Sequence, residues 1–249
     1  MLGTGNNFDR DHEALEKLYK KFARGGSIIP VWFQRIRFYS KKAAWTLLVH
    51  GTLAFKRALD VIGSMFGLIL LSPILLLTAL AIKFEDGGPV MYVQERVGKK
   101  GKDFRMYKFR SMVIDADERK YALVDQNQAG KIIFKIRDDP RITRVGRLMR
   151  RFSIDELPQL FNVLKGNMSL VGPRPALPNE VNQYSTLDRR RLEVIPGITC
   201  LWQVKGRSEI DFQGQVSLDV QYIESQSFWG DIIILLKTIP AVLSGRGAY

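Results

Sequence analysis

The stretch from Val61 to Ile82, VIGSMFGLILLSPILLLTALAI, contains no charged residue. As a straight helix it would reach about 33 Å, enough for a bilayer hydrocarbon core of about 30 Å. A secretory signal fits poorly, because the run begins only at Val61 and no small-residue cleavage site precedes the polar part. The segment therefore meets lipid. Two features argue against a simple span. Ser72-Pro73 stands near the midpoint, where proline removes a backbone donor and crowds the preceding turn, so the helix should kink or break. Basic residues flank both ends, Lys56 and Arg57 before and Lys83, Arg96 and Lys99 after, so positive charge gives no preferred direction. A helix–break–helix hairpin that enters and leaves by one leaflet satisfies both flanks, with Ser72 free to bond a carbonyl released by the break. An ordinary kinked transmembrane helix accounts for this segment equally well.

Outward from this stretch, Asp9 to Arg24 places Leu15, Leu18, Tyr19 and Phe22 at helical spacing, which predicts an amphipathic helix. From Ile28 to Leu53, Trp32, Phe33, Phe38, Tyr39 and Trp45 alternate with Arg35, Arg37, Lys41 and Lys42. That mixture suits an interfacial helix with aromatic anchors, and equally the core of a small helical unit. Beyond Ile82, the apolar runs Val90–Val93 and Phe104–Phe109 flank Gly98–Gly101 and read as a β-hairpin. Pro140 should open a basic helix carrying Arg141, Arg144, Arg147, Arg150 and Arg151; Ser153 should open another that ends near Gly166. The apolar run from Phe228 to Leu243, interrupted by Asp231 and Lys237, is too short and too charged to span, and predicts a second interfacial helix or a core helix. The expected architecture is α+β and mostly helical: an accessory region at 1–53, a membrane segment at 54–83 and a small domain with a β-hairpin at 84–249.

Charge and composition narrow the chemistry. Lys and Arg number 38 against 25 Asp and Glu, a net charge of +13, so the surface should attract an anion. One cysteine, Cys200, and two histidines, His12 and His50, exclude an internal disulfide and argue against Cys-cluster or His-cluster metal sites and a His-based triad. Catalysis must run on carboxylates, arginines, lysines and hydroxyls. The segment Arg150-Arg151-Phe152-Ser153-Ile154-Asp155-Glu156 concentrates them. Ser153 and Glu156 alone would form a capping box. That arrangement leaves the arginines behind the carboxylates unexplained, and also Arg174 ahead, in the rigid turn Gly172-Pro173-Arg174-Pro175. Guanidinium forks hold phosphate oxygens, a carboxylate holds Mg²⁺, and a carboxylate can also attack phosphorus. Lys108 and Arg110, two apart on one strand, would add two cations on one face, suited to a nucleotide diphosphate or simply to water. Asp115 and Asp117 form a DxD pattern of the kind that binds a metal in nucleotide-sugar glycosyltransferases.

Taken together, FKRALD (55–60), QERVGKKGKDFRMYKFRSM (94–112), RRFSIDELPQLFNVLKGNMSLVGPRP (150–175) and PGITCLWQVKGR (196–207) resemble the bacterial sugar transferases, the monotopic phosphoglycosyl transferases. The resemblance runs over residues 54–249 and leaves 1–53 outside. It implies a re-entrant membrane helix broken at Ser72 and Pro73, held at the cytoplasmic face of the bacterial inner membrane. It implies transfer of a sugar-1-phosphate from a UDP-sugar to undecaprenyl phosphate with release of UMP, as the first membrane step of exopolysaccharide, capsule or O-antigen synthesis. By resemblance Asp155 is nucleophile and Mg²⁺ contact, and Glu156 assists proton handling or orientation. Arg150 and Arg174 bind phosphate, and Thr199, Gln203 and Arg207 fall on the nucleotide side, where Cys200 replaces a usual glycine. The partners implied are the UDP-sugar, undecaprenyl phosphate and membrane lipid, with no nucleic acid and a homo-oligomer left open. Two other readings stand beside this one: a DxD glycosyltransferase that releases UDP, and a basic membrane-attached nucleic-acid-binding protein.

Overall fold

The computed structural model describes residues 17, 31–123, 136 and 138–245. The chain divides into two compact units, Met1–Ala54 and Phe55–Tyr249. In the first, Lys17 is helical and helix α1 (Val31–Leu70) begins, with Trp32, Phe33 and Tyr39 exposed. The amphipathic helix expected over Asp9–Arg24 otherwise lies outside the described residues.

In the second unit α1 ends at Leu70 and α2 (Ser72–Asp86) departs at 60°. The local cause is visible in the hydrogen bonds. An ordinary residue at position 73 would donate its N–H to the carbonyl of Ile69, and Pro73 cannot. Ser72 Oγ donates to that carbonyl instead, at 2.8 Å, so the break leaves it satisfied. Among the described residues no single helix is long and apolar enough to cross a membrane; the bent pair Gly51–Leu70 and Ser72–Asp86 meets the length and composition requirement together. Ile62, Phe66, Ile69, Leu70, Leu76 and Leu77 on this pair are 61–72% exposed, far more apolar surface than a water-facing helix carries.

Strands β1 (Met91–Val97) and β2 (Asp103–Phe109) pair antiparallel, with Met91 opposite Phe109, as the alternating residues predict. Helix α3 (Ala116–Tyr121) follows. Helix α4 (Arg144–Arg151) does not start at Pro140. Arg141 is buried against Asp139 and bonds the Ala116 carbonyl, which holds this segment as a turn, and Thr143 caps the helix through Gly146 N at 2.9 Å. Helix α5 (Gln159–Lys165) ends at Gly166 in the left-handed conformation, φ 83°. It lies on the hairpin through Phe104, Met106, Val163 and Met168. Buried Asn162 extends the ladder, accepting from Tyr107 N at 3.0 Å and donating to the Arg105 carbonyl at 2.7 Å.

The remaining elements are β3 (Ser169–Val171), α6 (Pro178–Val181), β4 (Gly197–Thr199), α7 (Leu201–Lys205), α8 (Phe212–Glu224) and α9 (Phe228–Ser244). β3 and β4 pair in parallel, and Ile234 of α9 packs with Val171 and Tyr222 behind them. The FKRALD segment of α1 fastens this assembly. Asp60 accepts from Ser169 Oγ at 3.0 Å and Leu170 N at 2.9 Å. Arg57 donates to the carbonyls of Val163 and Leu164 at 2.6 and 2.8 Å, capping the end of α5. Lys56 pairs with Asp231 and donates to the Val171 carbonyl at 3.1 Å.

The strand that carries the Gly172-Pro173-Arg174-Pro175 turn has no spare room. A Cβ on Gly197 would stand 2.1 Å from Gly172 N, against backbone rather than a movable side chain. Gly197→Ala should therefore lose about 1–3 kcal/mol of stability as the strands are forced apart. Thermal melting of the detergent-solubilised variant against the unmodified protein measures this.

Candidate active site

Phe152 follows α4, and Ser153 then turns the chain through the left-handed region, φ 54°, before a 3-10 turn at Ile154–Glu156. Ser153 therefore opens no α-helix and makes no side-chain cap, contrary to the expected capping box; the next α-helix waits until Gln159. The physical reason lies in what Glu156 does instead. Its Oε1 accepts from Lys108 Nζ at 2.8 Å and from Arg174 Nη1 at 3.0 Å, so the carboxylate that would have closed the box is committed to two cations from distant segments.

Asp155 is buried, at 7% exposure, and among the described residues its carboxylate forms no hydrogen bond or ion pair. The adjacent carboxylates differ accordingly. Burial pushes Asp155 up, and Lys108 only partly offsets it. Burial works on Glu156 in the same direction, but Arg174 and Lys108 outweigh it and hold Glu156 well below the carboxylate range. Glu156 in turn holds Arg174 firmly charged, while burial depresses Lys108. The result is one permanently ionised acid that organises cations and one unclaimed acid beside it.

The other expected residues separate into two groups. Arg150, in the last turn of α4, acts on Asp155 by charge without a hydrogen bond to either carboxylate. Half-buried Arg207, φ 50°, is depressed by burial and feels the charge of Glu156, and its Nη1 is buried without a hydrogen-bond partner among the described residues. Arg110 does not join the site. It lies one residue past the end of β2, where its backbone N donates to the Val90 carbonyl, and its guanidinium forks onto Asp86 at the end of α2 and bonds the Pro89 carbonyl at 2.6 Å. The shared strand face expected for Lys108 and Arg110 stops at Phe109. Thr199 is buried with its Oγ1 2.8 Å from Thr238 Oγ1, and Gln203 accepts from Cys200 Sγ at 3.1 Å. Cys200 itself is extended, φ −150° and ψ 172°, a conformation open to any L-residue, so its place at a usual glycine position strains nothing. Burial pushes its thiol up, away from reactivity.

Asp115 of the DxD pair is bound to Arg119 at 2.7 Å, one helical turn on. No cluster of three or more Asp, Glu, His or Cys positioned for a metal occurs among the described residues. Mg²⁺ nevertheless accepts one or two carboxylates and takes its remaining oxygens from phosphate and water. Unclaimed Asp155 suits that requirement; Glu156, with Oε1 already shared by two cations, suits it less.

The sequence reading missed Arg96, which it assigned to the membrane flank. Arg96 is buried beneath the Arg174 turn, donating to the Pro175 carbonyl at 2.9 Å and to Gln94 Oε1. An isolated arginine in an alternating strand gives no local sign of burial.

The sequence profile described as bacterial sugar transferase matches residues 51–245. A galactosyl transferase, CpsE, of Streptococcus agalactiae is 49% identical over 200 residues, 80% of this chain and 44% of that protein. An undecaprenyl-phosphate galactose phosphotransferase of Salmonella typhimurium is 38% identical over 258 residues, 97% of this chain and 54% of that protein. An Aeromonas hydrophila protein named UDP-N-acetylgalactosamine-undecaprenyl-phosphate N-acetylgalactosaminephosphotransferase is 41% identical over 202 residues, 78% of this chain and 44% of that protein. The chain thus spans about half the length of these relatives.

The separation of Arg110 from the site is measurable. Arg110→Ala should lower stability by about 1–3 kcal/mol, since Asp86 and the Pro89 carbonyl lose a charged donor, and should leave the affinity for a diphosphate ligand unchanged. Thermal melting and ligand titration on the same preparation report the two quantities separately.

Proposed function

Because the chain belongs to the bacterial sugar transferase family, we propose that it moves a sugar-1-phosphate from a UDP-sugar to undecaprenyl phosphate, releasing UMP, in two steps through Asp155. The observation that carries this reading is the division of labour in the acidic pair: Glu156 is committed to Lys108 and Arg174, and Asp155 beside it accepts no hydrogen bond among the described residues. A carboxylate oxygen of Asp155 attacks the sugar-bearing phosphorus. The bond from that phosphorus to the bridging oxygen breaks, and UMP departs with the electron pair. An oxygen of undecaprenyl phosphate then attacks the acyl phosphate, and Asp155 is regenerated as carboxylate. Lys108 and Arg174, fixed by Glu156, hold phosphate oxygens through both steps, and the Arg207 Nη1 supplies a further donor on the same side. Mg²⁺, held by Asp155 and donor phosphates, would neutralise charge on the diphosphate.

Membrane placement belongs to the same reading. The exposed apolar bent pair suits a re-entrant loop from the cytoplasmic leaflet of the inner membrane, which would bring the lipid-borne acceptor to a site fastened to α1. The setting is the first membrane step of exopolysaccharide, capsule or O-antigen synthesis. The direct alternative at the DxD is less well supported, since Asp115 is paired with Arg119.

A single-turnover experiment tests the covalent step. With enzyme in excess over UDP-sugar labelled in the sugar, and without undecaprenyl phosphate, one equivalent of UMP should form and label should remain on Asp155 by mass spectrometry. Asp155→Asn should abolish both. UMP that appears only when acceptor is added, with no label retained, replaces this mechanism with direct transfer.

Asp155 must be ionised to attack, and its pKa is raised above 3.8, so kcat/KM should fall as pH drops through a limb above the ordinary aspartate range. Lys108 favours the ionised form and Glu156 disfavours it. Lys108→Met should move the limb to higher pH and Glu156→Gln to lower pH, alongside any loss of rate. Two variants shifting the limb in the same direction would remove Asp155 as its origin.

A further inference from the structure

Arg96 is 9% exposed, and among the described residues none of its hydrogen-bond partners is an acid: its three hydrogen bonds go to Gln94 Oε1, twice, and the Pro175 carbonyl. Among the described residues no carboxylate lies within 4.0 Å of it; Glu180 and Glu156 act on it only from farther away. A buried guanidinium without a counterion is costly, and a chain that retains one gains from it elsewhere. Its surroundings show where. Arg174 and Lys108 are both close enough to repel or be repelled by it, so three cations converge here, and the two carboxylates among the described residues that act on Arg96, Glu180 and Glu156, form no ion pair with it. The bond to Pro175 joins Arg96 to the turn that presents Arg174, and Val97 N reinforces the junction with a 2.9 Å bond to the Ala176 carbonyl.

We infer that Arg96 is a third, fixed positive charge of the donor site, a positioning residue that holds the Arg174 turn and whose missing counterion is the diphosphate of the incoming nucleotide sugar. The inference rests on the donor proposed above. In the free protein the three cations repel one another, and Glu156 forms ion pairs with Lys108 and Arg174 but not with Arg96. A bound diphosphate brings two further negative charges into that field, in a setting where water screens poorly. Arg96 need not touch the phosphates to act: its carbonyl bond fixes where Arg174 stands, and its charge favours an anion over any neutral occupant.

The test is ligand binding to the full chain in detergent, with UDP measured by calorimetry and uridine by ligand-observed NMR. Uridine keeps the base and sugar and lacks the phosphates. The unmodified protein should bind UDP far more tightly than uridine. Arg96→Gln should weaken UDP about tenfold, the size of one lost charged interaction, and leave uridine unchanged. Arg96→Lys, which keeps the charge, should retain UDP affinity to within about threefold. Three results overturn the inference: Arg96→Gln binding UDP like the unmodified protein, UDP and uridine weakening in equal proportion, or Arg96→Lys losing UDP selectively about tenfold. Should the glutamine variant fail to fold, the lysine variant decides alone by the last criterion. An unmodified protein that binds UDP no better than uridine would instead remove the proposed donor, a failure distinct from that of Arg96.

Discussion

The hydrogen bonds from the FKRALD stretch of α1 are the constraint on which the rest of the structure depends. Asp60 fixes the start of β3, Arg57 caps α5, and Lys56 reaches the carbonyl that ends β3. α5 follows Asp155 and Glu156 in the chain, and β3 leads directly into the turn carrying Arg174. One turn and a half of helix therefore sets the separation between the acidic pair and its guanidinium partner. The interactions are buried or half-buried and made largely to backbone, so water competes little and side-chain variation elsewhere leaves them intact. The same helix continues into the bent apolar pair, which ties the geometry of the site mechanically to the segment suited to lipid.

Within that frame the electrostatics are asymmetric by construction. Two carboxylates adjacent in sequence would ordinarily share a fate; here Lys108 and Arg174 both engage the Glu156 side chain, and burial acts against ionisation of Asp155. An acid committed to its cations is a scaffold, and an acid without donors is available for chemistry. Ser153 in the left-handed region contributes to this outcome, because a regular helical start would have turned Glu156 back toward the backbone and left both cations unpaired. A left-handed non-glycine residue costs about 1–2 kcal/mol, and here it coincides with the acidic pair.

Cys200 and Arg110 show how single positions mislead when read alone. A cysteine at a usual glycine position suggested altered backbone; the backbone there is extended and accepts any side chain. An arginine two residues beyond Lys108 suggested a second phosphate ligand; it stands just past the strand that ends at Phe109 and pairs with Asp86, where it fastens the end of α2 to the start of the hairpin.

What the sequence determined by itself was whatever short-range chemistry controls. The apolar run and its break at Ser72-Pro73, the hairpin around Gly98–Gly101, the end of α5 at Gly166 and the acidic pair among arginines all follow from proline's missing donor, alternation and local charge. The helix starts at Pro140 and Ser153 did not follow, because at the first Arg141 pairs with neighbouring Asp139 and bonds the distant Ala116 carbonyl, and at the second Glu156 pairs with distant Lys108 and Arg174. Only the tertiary structure decided which arginine serves the site and which serves the fold. Lys108 stands 48 residues from Glu156 in the chain and Arg174 stands 18 away, and the burial that separates Arg96, Arg110 and Arg174 into different roles depends on which segments pack over them. Charge is written in the sequence; the counterion each charge meets, and how much water lies between them, is set by packing.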